Sequence, residues 1–87
     1  MKTRDEYFSP DHRYSLGIDD DSGRYYASLP VSTGLVDYEE YYELTGAQYA
    51  QFLADPGVAI AFVDRCRRRE HDELLLQKPG WNRGSAT

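Results

Sequence analysis

Alternating apolar and polar residues predict three β-strands in the first half of the chain. The alternation has a period of two over 13–18, 24–31 and 35–44, as expected of strands that each bury one face. Turn-forming residues separate these stretches at 19–23 and 32–34. Because both connections are short, consecutive strands should pair antiparallel, and the pattern predicts a three-stranded meander.

Helical periodicity replaces the alternation in the second half of the chain and predicts two helices. Thr45 and Gln48 form a capping box, and Asp55-Pro56 marks a second helix start, because Asp caps well and Pro suits the first helical position. The second helix should end near Glu70. The apolar residues that share a helix face are Tyr49, Phe52 and Leu53 in the first helix and Ala59, Phe62, Val63 and Cys66 in the second.

These elements predict an α+β fold, in which a three-stranded antiparallel β-meander is packed on one face by two C-terminal helices. Residues 74–76 would either extend the second helix or form a short fourth strand. We expect a single domain over 11–78 with tails at 1–10 and 79–87, and Trp81 is a candidate for packing back onto the domain. The expected core consists of Tyr14, Leu16, Tyr25, Ala27, Leu29, Val36, Tyr38, Tyr42, Phe52, Leu53, Phe62 and Val63.

Composition narrows the class of protein. The chain has 87 residues, of which 40% are hydrophobic and 29% charged, and a mean hydropathy of −0.73 without a long apolar run argues against a membrane span. The single cysteine, Cys66, cannot form an internal disulfide, and the charged start of the chain lacks the apolar stretch of a signal peptide. We therefore expect a cytoplasmic protein.

The strongest chemical signal is a run of carboxylates and tyrosines on the third predicted strand. Residues 19–55 carry eight acidic residues against one basic residue, and the whole chain has a formal net charge of −5. The residues expected to point away from the helices are Tyr26, Asp37, Glu39, Tyr41 and Glu43. Carboxylates steer a basic partner and tyrosines supply contact area, so these five residues are the predicted partner-binding surface. The alternative is a sheet face that simply meets water.

Charged residues on the buried side and at the helix end need a separate explanation. Glu40 falls on the inward face of the third strand, where we expect it to pair with an arginine of the second helix or to lie at the rim of the sheet. The basic cluster is Arg65, Arg67, Arg68 and Arg69. The helix dipole favours cations there, and acidic residues follow at once, so nucleic-acid binding with a steep salt dependence is a less favoured alternative.

Motifs for metal binding or catalysis are missing from the sequence. Cys66 and His71 are five residues apart on the predicted helix and diverge from each other, and no zinc motif is present. The acidic run 19–21 lacks the glycine and glutamate spacing of an EF-hand. Cys66 lies on the predicted apolar face, where a thiol is inert, and no nucleophile motif or phosphate-binding glycine loop occurs. We therefore expect no metal, no cofactor and no enzymatic activity.

In size, charge and sheet-plus-helix layout over 13–76, the chain resembles the immunity proteins that neutralise bacterial toxins, often nucleases with basic active sites. The resemblance implies a non-enzymatic protein that inhibits by tight binding, with its acidic face competing with the toxin's substrate. A second hypothesis is a small homodimeric structural or regulatory protein, with Tyr26, Tyr41 or Trp81 in the interface between the copies.

Overall fold

Four antiparallel strands and two helices form the fold, in a computed structural model that describes residues 1–78 and 83–86. The strands are β1 (Thr3–Ser9), β2 (Tyr14–Asp19), β3 (Arg24–Ser32) and β4 (Asp37–Leu44), and the helices are α1 (Gly46–Ala54) and α2 (Pro56–Arg67). A 3₁₀ helix at Asp72–Leu74 and the two-residue strand β5 (Ser85–Ala86) follow. The expected α+β class, with both helices after the main strands, is confirmed.

The three predicted strands pair as a meander, and a fourth strand joins them at the edge. The sheet order is β1-β2-β3-β4, with Leu16 opposite Ala27 and Ala27 opposite Tyr42. The prediction that 1–10 form a tail is wrong, because β1 pairs with β2 along its length. Most side chains of β1 are exposed, so backbone pairing rather than an apolar stripe holds this strand in place, and hydrophobic patterning could not reveal it.

Both predicted helix starts are confirmed. The Thr45 hydroxyl accepts a hydrogen bond from the backbone N–H of Gln48, and the Gln48 side chain accepts one from the backbone N–H of Thr45, which completes the capping box. Asp55 accepts from the backbone N–H of Gly57 at 3.1 Å and starts α2. The helix ends at Arg67 rather than near Glu70.

The segment after α2 adds two short pairings to the sheet. Leu75 forms an isolated antiparallel bridge with Tyr42, so 74–76 neither extend α2 nor form a full fourth strand. In the expected C-terminal tail, β5 pairs with Val31 and Ser32 of β3, so the tail prediction is wrong for 85–86. Trp81 lies outside the described residues.

The core lies between the helices and one face of the sheet. Most of the predicted core residues are buried there, and Tyr25 and Tyr38 pack against them while partly buried. Two predictions are wrong: the side chains of Val36 and Leu53 are 60% and 45% exposed. Val36 belongs to the turn before β4 begins, and α1 directs Phe52 rather than Leu53 into the core. The fully or nearly buried residues of the core cluster are Tyr14, Leu16, Ala27, Leu29, Val31, Tyr42, Leu44, Tyr49, Phe52, Ala59, Phe62, Val63, Cys66 and Leu75.

Glu40 is buried on the helix side of the sheet, with 7% of its surface exposed. The expectation that it would pair with an arginine of α2 is wrong, because Arg83 is its partner, with Nε 2.7 Å from Oε2 of Glu40. Arg83 is far away in sequence from Glu40, and only the folding back of the chain brings the two charges together.

Candidate functional site

The sheet face opposite the helices carries the residues that the sequence singled out. Directly opposite residues of an antiparallel sheet share a face, and Asp5, Gly17, Tyr26 and Glu43 lie in one such row across all four strands. A neighbouring row includes Tyr41 of β4. We call the following residues the acidic face: Asp5, Tyr26, Asp37, Glu39, Tyr41 and Glu43.

Tyr26 is buried beneath the other side chains of the acidic face. Its side chain is fully buried, its hydroxyl donates to the carboxylate of Asp5, and its ring meets the ring of Tyr41 edge-on with the centroids 5.0 Å apart. Burial, followed by the hydrogen bond to Asp5, raises the pKa of Tyr26 above its usual range, so the phenol stays protonated. The prediction of Tyr26 as an accessible contact residue is therefore wrong, although it does lie on the predicted face.

The remaining predicted residues lie on the accessible surface of this face. Asp37 and Glu43 are exposed, and Tyr41 and Glu39 are half-buried. Arg24 lies 3.8 Å from Glu43, and both side chains are about half exposed, so solvent weakens the attraction between them. Phe8 of β1 shares the row of Tyr41 and is 57% exposed, which adds an aromatic surface beside the carboxylates.

Asp5 belongs to this site and was not predicted from the sequence. It lies on β1, which brings its carboxylate across the sheet to the hydroxyl of Tyr26. Asp5 could be predicted from the sequence only if β1 were first recognised as a strand. That strand shows little apolar alternation, because most of its side chains are exposed on either face.

Glu39 is the least well satisfied carboxylate of the acidic face. Its Oε2 atom is enclosed and finds no hydrogen-bond partner among the residues that the structure describes. Burial, with the charge of Asp5 as a second cause, raises the pKa of Glu39 above its usual range. In the free protein the ionised form is therefore disfavoured, and a cation placed beside it would offset that penalty.

Replacing Glu39 with glutamine is expected to raise the free energy of unfolding at neutral pH by at most about 1 kcal/mol, since solvent screens the half-exposed carboxylate. Because the folded-state pKa is raised, the penalty of the charged form is absent below the unfolded pKa and appears as the pH rises. The gain in stability from Glu39→Gln should therefore vanish near pH ~3, where the glutamate is already neutral. Urea unfolding at neutral pH and at pH ~3 measures this difference, with Glu43→Gln as the exposed control. A loss of stability at neutral pH for Glu39→Gln would show that the charge is favourable in the free protein.

The arginine cluster at the end of α2 is engaged within the chain. Arg67 bonds to Asp64 at 2.8 Å and also donates to the carbonyl of His12. Arg68 donates to Glu70 at 2.7 Å. Arg69 donates to the carbonyl of Gly84 at 3.2 Å, so Arg67 and Arg69 connect distant parts of the chain, while the contact of Arg68 is local.

The cysteine and the possible metal ligands form no reactive centre in the described parts of the chain. Cys66 is buried, and burial is the main reason that its pKa is raised to about 12, so it remains a thiol. No group of three histidine, cysteine, aspartate or glutamate side chains within 1–78 and 83–86 is close enough to hold a metal ion.

No helix in the same residues has the length and apolar character needed to cross a membrane.

Comparisons of the chain with protein families, curated proteins and solved structures find no match.

Proposed function

We propose that this protein is a non-enzymatic binding module that inhibits a basic partner protein through its acidic face. The observation that carries the proposal is the imbalance of charge on one sheet face. Asp5, Asp37, Glu39 and Glu43 lie there with Arg24 as a neighbouring cation. The helices pack against the opposite face and leave these carboxylates uncovered.

Two kinds of side chain on this face serve two steps of binding. The exposed carboxylates of Asp37 and Glu43 attract a cationic surface over a distance and so favour fast association at low salt. Tyr41 and Phe8 then supply rigid aromatic contact area. Tyr26 holds the ring of Tyr41 in place from below.

The environment of Glu39 favours a partner that places a cationic side chain against this carboxylate. A lysine or arginine of the partner placed against the half-buried carboxylate of Glu39 would offset the penalty that the ionised form carries in the free protein. Truncating one member of such a desolvated pair typically weakens binding by about 2–5 kcal/mol.

The inhibitory role comes from the resemblance to immunity proteins. An enzyme that acts on an anionic substrate, such as a nuclease, carries a basic active site. An acidic face that binds there would exclude the substrate by occupying the same cations.

The double variant Glu39→Lys/Glu43→Lys is expected to lose the basic partner, because it reverses two charges of the acidic face. It should keep its fold, because neither side chain belongs to the core. The measurement is affinity capture from the lysate of the source cell at several salt concentrations, with identification of the retained proteins by mass spectrometry. Circular dichroism checks the fold.

The matched control is Asp11→Lys/Glu73→Lys, which changes the net charge equally at two exposed residues away from this face. A basic protein retained by the wild type and by the control, but not by the Glu39/Glu43 variant, supports the proposal. Equal loss in both variants would mean that net charge alone is responsible, and equal retention would contradict a role for the acidic face.

A further inference from the structure

The guanidinium of Arg83 is bound along both of its forked edges. Its Nε and Nη2 atoms lie 2.7 and 3.0 Å from the two carboxylate oxygens of Glu40. Its Nη1 and Nη2 atoms lie 2.7 and 2.9 Å from the two oxygens of Asp72. The hydroxyl of Tyr42 is 3.4 Å from Nη2 and also donates to Glu40 at 2.9 Å. This geometry selects a planar guanidinium and would not fit the point charge of a lysine.

The pair between Arg83 and Glu40 is the enclosed part of the site. Their side chains are 11% and 7% exposed, whereas Asp72 lies at the open side and is 43% exposed. Glu40 and Tyr42 come from β4, and Asp72 comes from the 3₁₀ helix. All three acceptors therefore belong to the folded domain, while the bound group comes from the segment 83–86.

The next residue, Gly84, is recognised through its backbone. Its N–H donates to the hydroxyl of Tyr38 at 2.9 Å, and its carbonyl accepts from Arg69 at 3.2 Å. A Cβ atom at Gly84 would lie 2.6 Å from the backbone C and O of Ser32, which is closer than real contacts allow. This position accepts glycine and excludes other residues.

The two residues after Gly84 bind as an added strand. Ser85 lies opposite Ser32 and Ala86 lies opposite Val31, antiparallel to β3. Addition of an extended segment to a sheet, with a side-chain pocket beside it, is a recurring mode of peptide recognition. The segment 83–86 is thus bound by this chain in the way that a separate peptide would be.

We propose that Tyr38, Glu40, Tyr42, Arg69 and Asp72, which we call the arginine–glycine cleft, form a recognition site for an Arg-Gly segment, and that the segment 83–86 of a second copy can fill it in place of the chain's own. The second copy is the occupant that the observations favour, because its segment carries every group that the cleft contacts. Exchange of an identical terminal element between copies is a known route to dimers. This cleft lies on the helix side of the sheet and is independent of the acidic face.

The chain's own segment competes strongly for the cleft, because its tether gives it an effective concentration on the order of millimolar. The exchange must therefore be tested in full-length variants that cannot fill their own cleft. Arg83→Ala keeps the cleft and loses the ligand group. Glu40→Gln/Asp72→Asn keeps the ligand group and loses the two charges that bind it.

The first measurement titrates a fluorescent peptide with the sequence of 82–87, Asn-Arg-Gly-Ser-Ala-Thr, into the Arg83→Ala variant and follows anisotropy. We expect saturable binding, and binding weaker by about ten-fold or more for peptides in which Lys replaces Arg or Ala replaces Gly. The wild type should bind the peptide more weakly than the variant does, because its cleft is filled. If Arg83→Ala does not fold, Gly84→Ala takes its place, since the added Cβ dislodges the segment and leaves every cleft residue intact.

The second measurement mixes the two variants at about 100 µM and determines the mass by light scattering. This concentration is below the effective concentration of the tethered segment, so a chain that can fill its own cleft stays monomeric. We expect a heterodimer in the mixture and monomers in each variant alone. Equal binding of the three peptides to the folded variant, no binding of any peptide, or a mixture that remains monomeric would each overturn the proposal.

Discussion

Replacing Arg83 with alanine is expected to lower the free energy of unfolding by about 3–5 kcal/mol, because it leaves the buried carboxylate of Glu40 without its partner. Glu40 lies in the core-facing row of β4, and the substitution removes the two hydrogen bonds that Arg83 donates to it. Unfolding should be followed in urea rather than in guanidinium chloride, because a guanidinium ion could itself enter the emptied site.

Two control variants separate the buried charge from general effects of losing an arginine. Arg68→Ala removes an exposed pair with Glu70 and should leave the stability nearly unchanged. The double variant Arg83→Ala/Glu40→Gln removes the unpaired charge and should recover more than about 1 kcal/mol of the loss. A stability of Arg83→Ala equal to that of Arg68→Ala would contradict a structural role for the buried pair.

Replacing Gly17 with alanine is expected to lower the free energy of unfolding by about 2–4 kcal/mol, because the added methyl group has no room between β1 and Tyr26. A Cβ atom at Gly17 would overlap the carbonyl oxygen of Arg4 and the hydroxyl of Tyr26, and would lie 2.7 Å from Cζ of that ring. Relief requires β1 or the tyrosine to shift, which would also disturb the hydrogen bond between Tyr26 and Asp5. Urea unfolding measures the loss, and near-ultraviolet circular dichroism reports the change around the tyrosines.

Gly46→Ala is the matched control for this substitution. A Cβ atom at Gly46 would lie 3.6 Å from the ring of Tyr25, which is ordinary contact, and the residue is the first of α1. Alanine favours a helix over glycine, so this variant should be neutral or more stable by up to about 1 kcal/mol. Similar losses in Gly17→Ala and Gly46→Ala would show that the close approach of Tyr26 does not decide the outcome.

Gly17 and Tyr26 also connect stability with the proposed binding surface. Tyr26 fills the space that Gly17 leaves open and meets the ring of Tyr41 above it. A displaced Tyr26 would therefore move an aromatic residue of the acidic face. Partner binding by Gly17→Ala should be weaker even where the fold is retained.

Much of the fold follows from local patterns in the sequence. The alternation in β2 and β3 requires one face to be buried, and the capping residues Thr45 and Asp55 mark the helix starts within a few residues of each. Glu39 and Glu43 could be placed on the exposed side of β4 by the same period-two argument. These features depend only on neighbours along the chain, so local residue patterns are enough to specify them.

The sequence by itself determined the order of β2, β3, β4, α1 and α2 and the face on which the carboxylates of β4 lie. The tertiary structure alone decided that β1 and β5 join the sheet, that Arg83 neutralises Glu40, and that Asp5 and Tyr26 meet across the acidic face. The physical reason is the same in each case. Edge pairing depends on backbone groups that every residue carries, and a buried ion pair joins charges far apart in the chain, so neither leaves a periodic pattern of side chains.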